Sequence, residues 1–252
     1  MLEAIERKVG RDSIDFGDLA GLHGSDVWHL YELSWLTDEG YAENRVGVLT
    51  IPASTPRTVE SKSLKLYLNS LNFKRFASSH TAAETIESDL ETVVGGPVQL
   101  TLLTTGEINQ ITREPAGKLL DQLSLPPVDA PDMATLAQGL SASSEFVDGR
   151  YLTHRLRSLC PVTGQPDWAT LVIQLRGREL DFATLMAYVA AYREHPEFHE
   201  QCVERIFADL WRALAPERLV VSAFYTRRGG IDITPWRSNL AFIAPSDRMG
   251  RQ

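Results

Sequence analysis

The chain of 252 residues is 43% hydrophobic and 23% charged, the balance of an ordinary folded protein with room for one large domain or two small ones. Its formal net charge of -8 argues against a surface that grips nucleic acid through its phosphates. Two cysteines, Cys160 and Cys202, are too few for a disulfide framework, the charged opening MLEAIERKVGRDSIDF has no apolar core of a signal peptide, and no segment reaches the roughly 18 apolar residues of a membrane helix, so a cytoplasmic protein is expected.

The first stretch, to about Gly24, has mixed polarity and is expected to drape over the surface. Val27 to Leu36 reads as a strand rich in aromatics, followed by the turn residues Asp38, Glu39 and Gly40. Arg45 to Ile51 reads as its partner strand. A helix is expected from about Glu60 to Phe76, with Leu64, Tyr67, Leu68 and Leu71 as its buried stripe. Thr81 to Val94 reads as a second helix, stopped by Gly95 and Gly96. Val98 to Thr104 is a strand. From Ala116 to Ser144 the chain carries Pro126, Pro127 and Pro131 and little periodicity, as a connector would, with a short helix at Met133 to Gly139.

The second half repeats the order. Tyr151 to Leu159 and Trp168 to Leu175 are strands, and Phe182 to Tyr192 and Glu197 to Ala213 are helices, with Pro196 in the first turn of the latter. Leu219 to Thr226 and Ile231 to Pro235 flank Arg227-Arg228-Gly229-Gly230 as a hairpin with glycines at its turn. Each half thus reads strand, strand, helix, helix, strand, with a further strand expected to close it. The halves share order rather than identity. An α+β protein follows, with antiparallel sheets and paired helices on one face.

Four clusters could carry chemistry. In the first, Cys160 ends a strand in a Pro- and Gly-rich loop, and Asp167 lies where the chain re-enters a strand. A thiol attacks as thiolate, and a free cysteine has a pKa of about 8.5, so a neighbouring group must move the proton. The bland alternative is a small packing cysteine. In the second, His195-Pro196-Glu197-Phe198-His199-Glu200, the two histidines are four apart, but Pro196 places His195 at or before the helix start, so a metal face is doubtful. Glu200, near a helix N-terminus, should stay ionised and could accept two hydrogen bonds from the N–H edge of a guanine-like base. A merely solvated helix start is the alternative.

In the third, Val59 to Tyr67 opens a helix with Glu60, Ser61, Lys62 and Ser63, where an anion could dock. The fourth is the Arg227-Arg228-Gly229-Gly230 turn, where guanidinium groups and bare backbone could approach a phosphate. A capped amphipathic helix and a polar hairpin tip are the plainer readings of these two. Neither a GxGxxG nor a GxxxxGK[ST] pattern occurs.

Together the clusters resemble a known family. Glu60-Ser61-Lys62-Ser63-Leu64-Lys65-Leu66-Tyr67, continuing through Leu68-Asn69-Ser70, is similar to the signature of the 7-cyano-7-deazaguanine reductases, the nitrile reductases of queuosine biosynthesis. Cys160 with Asp167-Trp168, Glu197 through Ile206, and Tyr225 through Gly230 resemble its long, two-module form. The similarity runs from about Gly24 to Ser238. The N-terminus is shorter than in that form and the connector differs.

The resemblance implies tandem tunnelling-fold (T-fold) modules, residues 1–112 and 146–252 joined by a connector at 113–145. It also implies a homodimer that binds a small 7-deazapurine but no nucleic acid or membrane directly, uses two NADPH per turnover, and needs no metal. It makes Cys160 the nucleophile that forms a thioimide and Asp167 the proton donor. Val59, Glu60, Ser61, His199 and Glu200 would hold the substrate, and Ser61, Lys62, Arg228 and Gly229 the cofactor. Because zinc-dependent GTP cyclohydrolases share the fold, fold alone does not decide function. A cysteine hydrolase or acyltransferase without nicotinamide, and a non-enzymatic purine-binding T-fold protein, are the competing readings.

Overall fold

The computed structural model describes residues 2–123, 132–241 and 247–252. Its first segment does more than drape. β1 (Ala4–Glu6) pairs antiparallel with β4 (Arg57–Val59), and α1 (Arg7–Arg11) follows at once. Arg7 and Gly10 are buried, the latter so close to Gln201 that a Cβ there would lie 1.6 Å from its Nε2.

β2 (His23–Leu36) and β3 (Ala42–Pro52) form the first hairpin, and β5 (Gln99–Leu103) pairs with the outer side of β3. Between them lie α2 (Ser61–Ser70) and α3 (Ser79–Val94). α3 ends at Gly95 in the left-handed region, as the glycine pair predicts. α2 stops six residues earlier than its pattern suggests. Leu36 at the end of β2 donates its N–H to the Lys74 carbonyl, and its own carbonyl accepts from Phe76, both at 2.9 Å. A strand end thus claims backbone groups that a longer helix would have used internally.

β6 (Lys118–Leu119) and α4 (Met133–Gly139), the helix expected in the connector, lead into the second half; Pro126, Pro127 and Pro131 lie outside the described residues. There β7 (Ala142–Leu159), β8 (Pro166–Leu180), α5 (Phe182–Ala191), α6 (His199–Leu214), β9 (Arg218–Tyr225) and β10 (Ile231–Ser238) repeat the order of the first. The turn before β10 is the two-residue type that positive φ favours in hairpins: Gly229 and Gly230 have φ of 58° and 80°, and Arg228 and Ile231 exchange backbone hydrogen bonds across it.

The two halves share one eight-stranded sheet, ordered β5-β3-β2-β10-β9-β8-β7-β6. The seam is the antiparallel pairing of β10 with β2, Ile231 opposite Leu30 and Ile233 opposite Trp28. Among the described residues the first half has no closing strand of the kind the repeat suggests. After β5 the chain makes a 3-10 turn at Glu107–Ile111, and the two residues of β6 pair in parallel with β7 at the far edge. Residues 104–117 offer no alternating apolar run to bury, which leaves nothing to drive a strand there.

The helices cover one face. α2 and α3 pack on Trp28, Leu30, Leu49, Ile51, Ile231 and Ile233; α5 and α6 pack on Leu171, Ile173, Val221 and Ala223. On β10, Ile233 shares a face with Arg237, which stands opposite Val221, so the two cores continue across the seam. On the other face Val27, Val48, Val220 and Trp236 form a smaller cluster with Leu103 and Ile111. Among the described residues no helix is long and apolar enough to cross a membrane.

Candidate active site

Two elements that differ from the pattern place the thiol. β7 ends at Leu159, whose backbone pairs on one side with β8 at Pro166. On its other side it takes in the segment before α6: Leu159 donates to the His195 carbonyl at 2.9 Å, and Glu197 donates to the Leu159 carbonyl at 3.0 Å. Residues 195–198 are therefore extended, Pro196 is outside the helix, and α6 begins at His199 rather than Glu197. This breaks the helical register between His195 and His199, and it sets the first turn of α6 beside the Cys160 loop. His195 instead packs on the Tyr192 ring and lies 3.3 Å from Glu197, which also holds Arg205.

The loop from Cys160 to Gln165 is closed by hydrogen bonds in both directions. Cys160 donates its N–H to the Gln165 carbonyl at 2.9 Å, and Gly164, with φ of 68°, donates to the Cys160 carbonyl at 2.8 Å. Cys160 is partly exposed. Partial burial pushes its thiol up, but the Thr163 hydroxyl, the Thr163 and Val162 amides and Arg228 favour the thiolate and bring it below the ordinary value. Asp167, opposite Ser158 on β8 and 5% exposed, lies 3.1 Å from His199 Nε2 and 3.2 Å from an Arg228 terminal nitrogen. The His199 ring is stacked on Tyr225 with centroids 3.9 Å apart.

The first half supplies the opposite wall. The short pairing of β1 with β4 delivers the chain to Glu60, whose N–H donates to the Glu3 carbonyl at 2.9 Å. Glu60 is the N-cap of α2; its carboxylate oxygens accept from the amides of Lys62 at 2.9 Å and Ser63 at 2.6 Å. One cavity then gathers Val59, Glu60, Ser61, Cys160, Asp167, His199, Glu200 and Arg228, which are residues singled out in the sequence from both halves of the chain. Ile5, Trp28, Pro161, Phe198 and Ile233 complete it. Ile5 and Trp28 carry no local signal in the sequence that marks them for a site. The Trp28 indole nitrogen is buried without a hydrogen-bond partner among the described residues.

Lys62 and Gly229 do not enter this cavity. They line an adjoining cleft, with Ser61, Lys65, Thr163 and Arg228. Ser61, His199, Arg228 and Ile233 lie on the wall between the two spaces. Arg227 turns away. Its guanidinium sits 4.0 Å over the Tyr31 ring, so the two arginines of the turn diverge instead of converging on one anion. Cys202 is fully buried, and burial pushes its thiol well up.

Behind the cavity runs a buried ionic chain that the sequence did not announce. Arg7 holds Asp26 at 2.6 Å, Arg237 bridges Asp26 at 2.8 Å and Glu204 at 2.9 Å, and Arg11 holds Glu204 at 2.7 Å. It ties α1, β2, β10 and α6 together. Burial alone would raise Asp26, but Arg237 and Arg7 outweigh it and keep its carboxyl below the usual range.

Glu200 lies next to this chain and is 5% exposed. Burial, reinforced by the charge of Asp26, pushes its carboxyl above the usual range. This reverses the expectation from the helix N-terminus: desolvation of a buried carboxylate outweighs a partial charge at the end of a helix. A carboxyl raised in the folded state stabilises it fully below the unfolded value of about 4.3, and that contribution is lost as pH rises through the folded value. Glu200→Gln removes the titration. Its thermal midpoint should therefore gain on the wild type between pH 4.5 and pH 8, and a constant difference across that range would contradict the assignment.

The architecture and this cavity define a tunnelling-fold enzyme of the α+β class with a thiol-bearing pocket beside a cationic cleft. Residues 1–102 match the family described as nitrile reductase, 7-cyano-7-deazaguanine reductase N-terminal, and residues 166–241 match the family described as QueF-like protein. The NADPH-dependent 7-cyano-7-deazaguanine reductase of Acinetobacter baumannii (strain AYE) is 46% identical over 230 residues, covering 91% of this chain and 84% of that protein. The protein of the same name from Bordetella pertussis is 43% identical over 260 residues, covering 100% and 92%, and that from Bordetella avium is 41% identical over 251 residues, covering 99% and 91%. The chain belongs to the 7-cyano-7-deazaguanine reductase family, as its motifs suggested. Cys160 itself falls between the two matched segments.

Proposed function

We propose that this chain reduces the nitrile of 7-cyano-7-deazaguanine to the aminomethyl group with NADPH, a step of queuosine biosynthesis, through a thioimide on Cys160. The observation that carries the site assignment is the meeting of a thiol below its ordinary pKa, a buried carboxylate and two glutamates in one cavity. The Cys160 sulfur attacks the nitrile carbon, one π bond of the nitrile opens, and its electron pair takes a proton from Asp167. Asp167 in turn recovers the proton the thiol gave up, so the addition needs no outside acid. His199, stacked on Tyr225 and 3.1 Å from Asp167, orients that carboxyl.

Glu200 and Glu60 accept from the N–H edge of the deazaguanine, with Val59 and Ser61 beside them. A substrate N–H edge compensates Glu200 for its lost hydration. Glu60 keeps its capping bonds and offers remaining lone pairs. The adjoining cleft suits a phosphate-bearing cofactor: Lys62, Lys65 and Arg228 are cationic, and Ser61 opens the helix N-terminus there. NADPH held there would supply one hydride to the thioimide carbon, after which the C–S bond breaks to return the Cys160 thiolate and leave an imine, and a second NADPH would supply the hydride for that imine, with two protons taken up from solvent over the two reductions. Enclosure of the imine limits hydrolysis. Two modules, 1–112 and 146–252, a homodimeric assembly and a cytoplasmic setting complete the proposal on the strength of the family resemblance.

The test is nitrile-dependent NADPH oxidation, with two NADPH consumed per aminomethyl product. A hydrolase acting through the same thiol would consume none. Asp167→Asn should lower turnover by about 10²–10⁴-fold, the range for general acid–base groups; full turnover in that variant would remove Asp167 from the mechanism.

A further inference from the structure

We propose that Arg228 is a positioning residue for the Cys160–Asp167 pair, acting on the addition step before any cofactor binds. The family resemblance implies a role at the cofactor, and its place on the wall of the cleft suits that role. Its contacts run the other way. One terminal nitrogen lies 3.2 Å from Asp167 Oδ1 and 3.0 Å from Gln165 Oε1, on the loop that carries Cys160. Arg228 also lines the same cavity as Cys160 and is among the groups that favour its thiolate. A single guanidinium thus joins the carboxylate to the closing residue of the loop that carries the thiol.

The backbone under it is held. The Arg228 N–H donates to the Ile231 carbonyl at 2.9 Å across the two-glycine turn, and β10 continues from there into the centre of the sheet. The side chain therefore reaches the Cys160 loop from a fixed base on the neighbouring hairpin. Its exposure is intermediate, 35% of the side chain, which leaves part of the group facing the cofactor cleft.

The consequence concerns proton bookkeeping in the resting enzyme. The addition needs Asp167 ionised, so that it can take the thiol proton, and near enough to return it to the nitrile nitrogen. Arg228 opposite one carboxylate oxygen and His199 opposite the other fix that carboxylate on both sides. The remaining charged groups around the pair are Glu60 from the start of α2 and Glu200 from α6 in the cavity, and Lys62 and Lys65 of α2 and Asp232 of β10 along the cleft. Both glutamates oppose thiolate formation. Arg228 is the cation among these groups that contacts both Asp167 and the loop of Cys160. The inference rests on the reductase reading for the identity of the electrophile, but the thiol itself can be probed without it.

The experiment uses the full chain without NADPH. Alkylation of Cys160 by iodoacetamide is followed from pH 5 to 10 by peptide mass, alongside formation of the nitrile mass adduct, for the wild type, Arg228→Gln and Arg228→Lys. Arg228→Gln should move the alkylation midpoint to higher pH and slow adduct formation at pH 7 by about tenfold, the change that one pKa unit produces. Arg228→Lys, which keeps the charge but loses the fork, should recover part of the alkylation profile and less of the adduct rate. Thermal unfolding of each variant at the wild-type midpoint confirms an intact fold; if Arg228→Gln unfolds early, the lysine variant carries the test. Wild-type alkylation profiles and adduct rates in both variants, with only the KM for NADPH raised, would make Arg228 a phosphate ligand alone and overturn the inference. No adduct in the wild type, with the alkylation profile still shifted by Arg228→Gln, would instead count against the reductase reading and leave the effect on the thiol standing.

Discussion

Cys160→Ala should abolish the mass adduct formed with the nitrile and lower turnover by roughly 10⁴-fold or more, because removal of a covalent nucleophile removes the pathway and not one contact along it. Nucleophile loss is separable from misfolding here. Cys160 is partly exposed in a loop closed by backbone hydrogen bonds of Gln165 and Gly164, none of which involve the sulfur. Stability should therefore change by no more than about 0.5 kcal/mol, as for substitutions away from core and caps. The second thiol, Cys202, is fully buried and held protonated by burial, so it offers no substitute. Intact-mass spectrometry after incubation with substrate alone checks the first claim, and a steady-state NADPH assay checks the second. An adduct that persists in the alanine variant would remove Cys160 from the reaction.

Arg237→Met should be the most damaging single change to stability. Arg237 is fully buried between Asp26 and Glu204, themselves 0% and 2% exposed at their side chains. Its loss leaves Asp26 to Arg7 and Glu204 to Arg11, with one negative charge on each side of a new cavity no longer shared. Breaking a buried ion network on one side costs about 3–5 kcal/mol, equivalent to a fall of about 10 °C in thermal midpoint for a chain of this size. Because the network joins α1, β2, β10 and α6 behind Glu200, the KM for the nitrile should rise as well. Thermal unfolding and steady-state kinetics read the two effects, and a midpoint within 2 °C of wild type, a bound set well inside that loss, would show the network to be dispensable.

The elements that the sequence made legible are those whose signals are local. The buried stripe of Leu64, Tyr67, Leu68 and Leu71 announces α2, Gly95 ends α3, and Gly229-Gly230 makes the turn before β10. Each rests on side-chain periodicity or backbone freedom within a few residues. The errors lie where distant backbone competes. α2 ends early because the end of β2 binds Lys74 and Phe76, and α6 starts late because Leu159 binds residues 195 and 197. Neither partner is near in sequence. The closing strand of the first half failed for a related reason: repeat logic required it, but residues 104–117 had no apolar face to bury.

The candidate site divides the same way. Cys160, Asp167, His199, Glu200 and the Glu60-Ser61-Lys62 helix start were readable as residue types able to do chemistry, and their combination pointed to the family. Sequence determined which groups were available. Tertiary structure decided which groups meet, because the pairing of β10 with β2 brings the α2 start from one half against the thiol loop of the other. It also shifted their affinities for the proton. Burial beside Asp26 raises Glu200 against its helix terminus, and hydrogen bonds from residues flanking Cys160 lower its thiol against partial burial. Desolvation depends on everything that surrounds a group, and most of those neighbours are far away along the chain.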